Sequence, residues 1–132
     1  MQNDLTIYSD YASEWWREKD SKFKSLQRIS SFKIELLTEW VGNVSGLSIV
    51  DMGCGGGLIS IPLIEKGANL IGIDLSEPSI QVAIDKSNNR GRFFPGDIRE
   101  TGLPSESVDL AIIADVLDHI EDYSVVLEEA CR

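Results

Sequence analysis

The run Asp51-Met-Gly-Cys-Gly-Gly-Gly57 follows the apolar segment Leu47-Ser-Ile-Val50 and precedes a helix-like one, Leu58 to Lys66. A glycine-rich turn between a strand and a helix makes a ligand crevice. Gly53, Gly55 and Gly57 admit positive φ and lack the Cβ atoms that would hold a ligand off the backbone. The helix behind them offers unpaired N–H groups and the positive end of its dipole. A dinucleotide fingerprint needs G-x-G-x-x-G, and its third place here falls on Leu58, so the close helix approach of a pyrophosphate site is not expected. The spacing is G-x-G-x-G, with Asp51 two residues before the first glycine.

A second acid lies where a nucleoside would need it. Asn69-Leu-Ile-Gly-Ile-Asp74 reads as a short apolar strand ending in a carboxylate, 19 residues beyond Gly55. Such an acid can accept both hydroxyls of a ribose; NAD enzymes place one there too, so Asp74 supports a nucleoside without saying which. Glycine turn and two acids together resemble motif I of the class I S-adenosylmethionine (SAM)-dependent methyltransferases. The cofactor that this resemblance implies carries a sulfonium and an ammonium, which favour a carboxylate such as Asp51 where a pyrophosphate would be repelled.

The 132 residues, 42% hydrophobic, suit one domain with a single core. A formal charge of −10 argues against a nucleic-acid surface, since phosphate binding needs clustered Lys and Arg. Cys54 and Cys131 have neither disulfide nor metal-site spacing, and neither a signal peptide nor a membrane-spanning apolar run is evident. A reducing, cytoplasmic setting is the expectation.

Residues 1–45 read as an N-terminal helical segment and 46–132 as an α/β core. Ile29, Phe32, Leu36, Leu37, Trp40 and Val41 recur at helical spacing, and Gly42-Asn43 stops that helix. Strands are expected at Leu47 to Asp51, Leu70 to Asp74, Arg92 to Phe94 and Val108 to Ala114, with helices at Leu58 to Lys66, Glu77 to Ser87 and Tyr123 to Cys131. Pro62 either removes one hydrogen bond from its helix or delays the start. Ser76 is a good N-cap, with Pro78 in the first turn behind it. Alternating elements joined by right-handed crossovers predict a Rossmann-like parallel sheet of order 3-2-1-4, with the glycine turn at its carboxyl edge. The consecutive apolar residues Leu110 to Ala114 suit a central strand covered on both faces, yet no fifth strand follows. An incomplete chain is therefore expected; the alternatives are a partner that supplies strands, or a minimal fold.

Tyr11-Ala-Ser-Glu-Trp15-Trp16, then Phe23-Lys-Ser-Leu26-Gln-Arg28-Ile29, is similar to the N-terminal segment of the ubiquinone-biosynthesis O-methyltransferases. Trp15, Trp16 and Phe23 are read as apolar anchors of a helix on the sheet or as a substrate lid. The resemblance places the amino-acid part of SAM against Gly53 and its ribose on Asp74. It borders the adenine with the Asp97 carboxylate and the Ile98 backbone N–H, and lines the pocket with Ala114. It puts Lys33 at the position that contacts the cofactor carboxylate, where the family has arginine with its bidentate fork.

Asp115-Val-Leu-Asp118-His119 stands where that family usually has Glu-x-x-Glu-His, a trio similar to ones that hold magnesium near the substrate. Three readings stay open for Asp115, Asp118 and His119: a Mg²⁺ site, His119 as general base without a metal, and a solvated acidic approach to the last helix. The implied reaction is direct transfer of the SAM methyl to a phenol or catechol, such as a polyprenylated quinone precursor, which would bring the protein to a membrane surface without a spanning helix. The rival readings are a small-molecule SAM methyltransferase of another acceptor and a non-catalytic SAM-binding scaffold. Asp51 and Leu58 oppose a nicotinamide enzyme.

Overall fold

Strand β1 (Ser48–Met52) is buried over Ile49, Val50, Asp51 and Met52, as a continuous apolar run in a sheet covered on both faces should be. The computed structural model describes residues 4–132, so the first three residues of the expected N-terminal segment lie outside the described residues. Strands β2 (Asn69–Asp74), β3 (Arg92–Pro95) and β4 (Leu110–Ile113) join β1 in one parallel sheet of order β3-β2-β1-β4. That is the predicted order. Successive residues take opposite faces: Ile49, Leu70 and Ile112 share one core cluster with Leu63, while Val50, Ile71 and Met52 share the other with Val126.

Helix α1 (Thr6–Asp10) and a short 3-10 turn at Ala12–Glu14 precede α2 (Lys24–Val41). The crossover from β1 to β2 carries α3 (Ser60–Glu65), whose start at Ser60 settles the place of Pro62. The proline stands third in the helix, where the missing N–H would have had no intrahelical partner. Gly67, at φ 92°, closes α3: its N–H donates to the Ile64 carbonyl and the Ala68 N–H to that of Leu63, the paired bonds of a Schellman end. In α4 (Glu77–Lys86), Ser76 caps the helix by accepting from the Ser79 N–H at 3.3 Å, and Pro78 lies in the first turn. Helix α5 (Ser124–Cys131) buries Val126.

Some details differ from the expectation. Strand β4 is shorter, Leu110 to Ile113, lies at one edge of the sheet as the order 3-2-1-4 requires, and buries only Ile112. Helix α2 ends at Gly42 as expected, but the side it buries is Ser30 and Ile34, with Leu37 half-buried on the core, while Phe32 and Trp40 are 60% and 76% exposed. Helical spacing identifies a stripe; docking decides which stripe is covered. Trp15 and Phe23 do not lie on the sheet. They stack at 4.0 Å between ring centres, Tyr8 lies against both, and the cluster they form rests on Leu58 at the glycine turn.

Candidate functional site

One cavity of about 610 Å³ runs along the carboxyl ends of the strands. Its floor is the glycine turn, where Gly53, Gly55 and Gly57 have φ of 88°, 51° and 88°. The N–H groups of Gly53 and Cys54 both donate to the Ile73 carbonyl, which bends the chain sharply out of β1. A Cβ on Gly53 would fall 2.2 Å from Val116 Cγ2, and one on Gly56 would fall 2.2 Å from Trp15 Cγ. Gly57 does not line the cavity; a Cβ there would meet Ile61 and Ala83, so its smallness serves the packing of α3 and α4.

Asp74 ends β2 and lines the cavity beside the glycine turn. Its Oδ1 accepts from the Ser76 N–H and its Oδ2 from the Gly55 N–H, each at 2.9 Å, which holds the carboxylate against the turn and leaves further lone pairs for hydroxyl donors. Burial raises its pKa, and these two backbone bonds oppose the rise. Asp51 lies deeper, 2% exposed, and accepts from Ser60 Oγ at 2.6 Å. Burial pushes its carboxyl up to about 6; the Ser60 bond works against this and the charge of Asp74 adds to it. Asp97 lines the same cavity with Ile98, and Arg99 grips it: Nε lies 3.0 Å from both carboxylate oxygens and Nη2 2.6 Å from Oδ2. That grip lowers the Asp97 pKa. Ala114 lines the cavity as well.

The cavity is also lined by Val116, which packs against Gly53, by His119, Ile120 and Val125, and by Leu5, Tyr8 and Trp15 of the N-terminal segment. Tyr8 Oη lies 3.0 Å from His119 Nε2 and the two rings meet edge to face. Burial, then the charges of Asp118, Asp74 and Asp115, raise the Tyr8 pKa, so the phenol stays protonated near neutrality. That segment is bonded to the core through one oxygen: Ser79 Oγ accepts from Trp15 Nε1 and donates to the Tyr8 carbonyl, both at 2.8 Å. Trp16 Nε1 donates to the Gly56 carbonyl at 2.8 Å. Sequence reading singled out Trp15 and Trp16 but not Tyr8, Ser79 or Arg99, whose meaning comes from residues far along the chain.

The candidate metal trio Asp115, Asp118 and His119 does not come together. Lys33 reaches Asp115 and does not line the cavity. The His119 imidazole meets Tyr8, and Asp118 comes no nearer to it than 3.9 Å. Among the described residues no group of three or more His, Cys, Asp or Glu is placed to hold a metal ion.

A strand-turn-helix with bare glycines, an acid at the end of the next strand and a cavity along the sheet edge define a Rossmann-like fold of the kind that holds a nucleoside cofactor. The chain belongs to the methyltransferase domain family, whose pattern matches residues 50–132. It is 30% identical to the ubiquinone biosynthesis O-methyltransferase of Leptothrix cholodnii, in a match covering 99% of this chain and 59% of that enzyme. It thus spans a little over half the length of that relative. The magnesium protoporphyrin IX methyltransferase of Synechocystis, solved with bound SAM, superposes with a TM-score of 0.76 at 28% identity, covering 98% of this chain and 71% of the other. The same enzyme solved with SAH gives the same TM-score at 27% identity, covering 96% of this chain and 66% of the other.

Proposed function

We propose that the chain carries the cofactor half of a SAM-dependent O-methyltransferase. The observation that carries this is that one cavity is lined both by the glycine turn with Asp74 and by the Tyr8–His119 pair, so that a nucleoside and an acceptor hydroxyl would meet in a single space. Asp74 receives the ribose hydroxyls, Asp97 and the Ile98 N–H border the adenine, and Gly53 and Ala114 face the methionine part. Asp51, beneath the turn, supplies negative charge toward the sulfonium.

The acceptor enters beside the Tyr8–His119 pair. Its hydroxyl donates to the Tyr8 oxygen while Tyr8 donates to His119 Nε2. As the oxygen takes the methyl carbon the proton passes to the imidazole, leaving a methyl ether, the neutral thioether and a protonated His119. Rate comes chiefly from holding oxygen and methyl in contact. Apolar Val116, Ile120 and Val125 suit an aromatic or prenyl body, and the nearby Glu121 and Asp122 favour an uncharged acceptor over an anionic one. A phenol or catechol of the quinone-precursor class fits this best, in keeping with the name of the Leptothrix relative. No helix among the described residues is long and apolar enough to cross a membrane; a polyprenylated acceptor would be met at the membrane surface from one side.

Titration of S-adenosylhomocysteine and NADH separately into the chain by calorimetry tests the cofactor assignment. Binding of the first alone, lost in Asp74→Ala, is the expected result. Binding of NADH, or binding of neither by a folded chain, would overturn the reading.

A further inference from the structure

At the exit of β4 a charge supplied by the chain stands where one of the three open readings would put a divalent ion. Asp115 adopts a φ of 57°, a left-handed conformation open to few residues besides Gly, Asn and Asp. Its carboxylate meets the Lys33 ammonium, which arrives from α2, 82 residues earlier. The lysine side chain is 25% exposed and the aspartate 44%, so the pair sits at the solvent boundary and is partly screened. The other two candidate ligands look elsewhere: His119 Nε2 faces Tyr8 Oη at 3.0 Å, and Asp118 is 69% exposed.

We propose that Lys33 takes the place of a divalent cation at Asp115, so that the acceptor site of this cavity works without Mg²⁺. Hard divalent ions need several oxygens brought to one point. Here one carboxylate is already neutralised, and an ion approaching it would lie beside a fixed positive charge. The pairing also serves the chemistry. An unpaired carboxylate at Asp115 would oppose growth of negative charge on the acceptor oxygen, and the ammonium removes that opposition. The short side chain of Asp115 suits this arrangement because it need only reach the lysine. The inference rests on the part of the cavity beside Tyr8 and His119 being the acceptor site.

Manganese binding gives the test, read from the loss of the free-ion electron paramagnetic resonance signal, in wild type, Lys33→Ala, Lys33→Met and the double variant Lys33→Ala/Asp115→Asn. Each protein is checked by circular dichroism and by S-adenosylhomocysteine calorimetry. Wild type is expected to leave millimolar Mn²⁺ free. Removing the lysine charge is expected to tighten the weak association of Mn²⁺ with Asp115 about tenfold or more, as loss of a neighbouring unit charge should, and the double variant is expected to lose that gain. Stoichiometric Mn²⁺ on wild type that Asp115→Asn abolishes would overturn the proposal. So would no gain in either folded lysine variant. Failure of S-adenosylhomocysteine to bind while Mn²⁺ behaves as expected would sink the cofactor reading and leave this one standing.

Discussion

Asp51 lies beneath the glycine turn, bonded to Ser60 at the start of α3, and so its charge is governed by burial before any ligand arrives. A carboxyl whose pKa rises from 3.8 to about 6 on folding binds its proton more tightly in the native state. Its stabilising contribution is therefore complete below the unfolded pKa and disappears as pH climbs through about 6, a loss of about 3 kcal/mol. Asp51→Asn should lack this fall, so the melting temperature of the variant relative to wild type should rise between pH 4 and 7; a pH-independent difference would refute the shift. Asp74 acts differently, because it touches both the turn and the expected ribose. Asp74→Ala should lower S-adenosylhomocysteine affinity by about 2 to 3 kcal/mol, roughly 30- to 150-fold by calorimetry. Both acids were legible in the sequence from their spacing to the glycines. That Asp51 would be fully covered was not, since coverage comes from α3 folding back over it.

Among the elements, the glycine turn and the N-terminal aromatic cluster depend on each other. Trp15 is 5% exposed and lies directly over Gly55 and Gly56. Gly56→Ala would place a methyl 2.2 Å from the indole, so the ring must move. The expected cost is about 1 to 3 kcal/mol, with a shift of tryptophan emission toward that of an exposed indole. Unchanged emission and stability would mean that the segment does not rest on the turn. Helix α2 gives the opposite case. Its exposed Trp40 makes little packing, so Trp40→Ser should change stability by no more than about 0.5 kcal/mol, whereas Ile34→Ala on the buried side should cost about 2 kcal/mol or more in denaturant melts. The bounds of α2 were legible from its period and from Gly42. Its buried face was not, because an apolar period is a property of the helix alone and the covered face belongs to a pair of elements.

Over the whole molecule, a formal charge of −10 meets a cavity that carries Asp51, Asp74, Asp97, Glu121 and Asp122. A sulfonium ligand should profit from that field and its neutral thioether product should not. The ratio of SAM to S-adenosylhomocysteine affinity is expected to fall several-fold as salt rises from roughly 0.01 M to 1 M, where the screening length shrinks from roughly 30 Å to 3 Å. A ratio indifferent to salt would mean that the acids are neutralised in place. By itself the sequence determined the order of strands and helices, the parallel sheet, and the edge at which a cofactor fits, because these follow from local periodicity, glycine spacing and the handedness of crossovers. The tertiary structure alone decided the partners: Tyr8 on His119, Lys33 on Asp115, Trp15 over Gly56. Such contacts join residues many positions apart. Their geometry depends on how α1 and α2 dock against the sheet, which is a sum over the whole packed surface and is written at no single position.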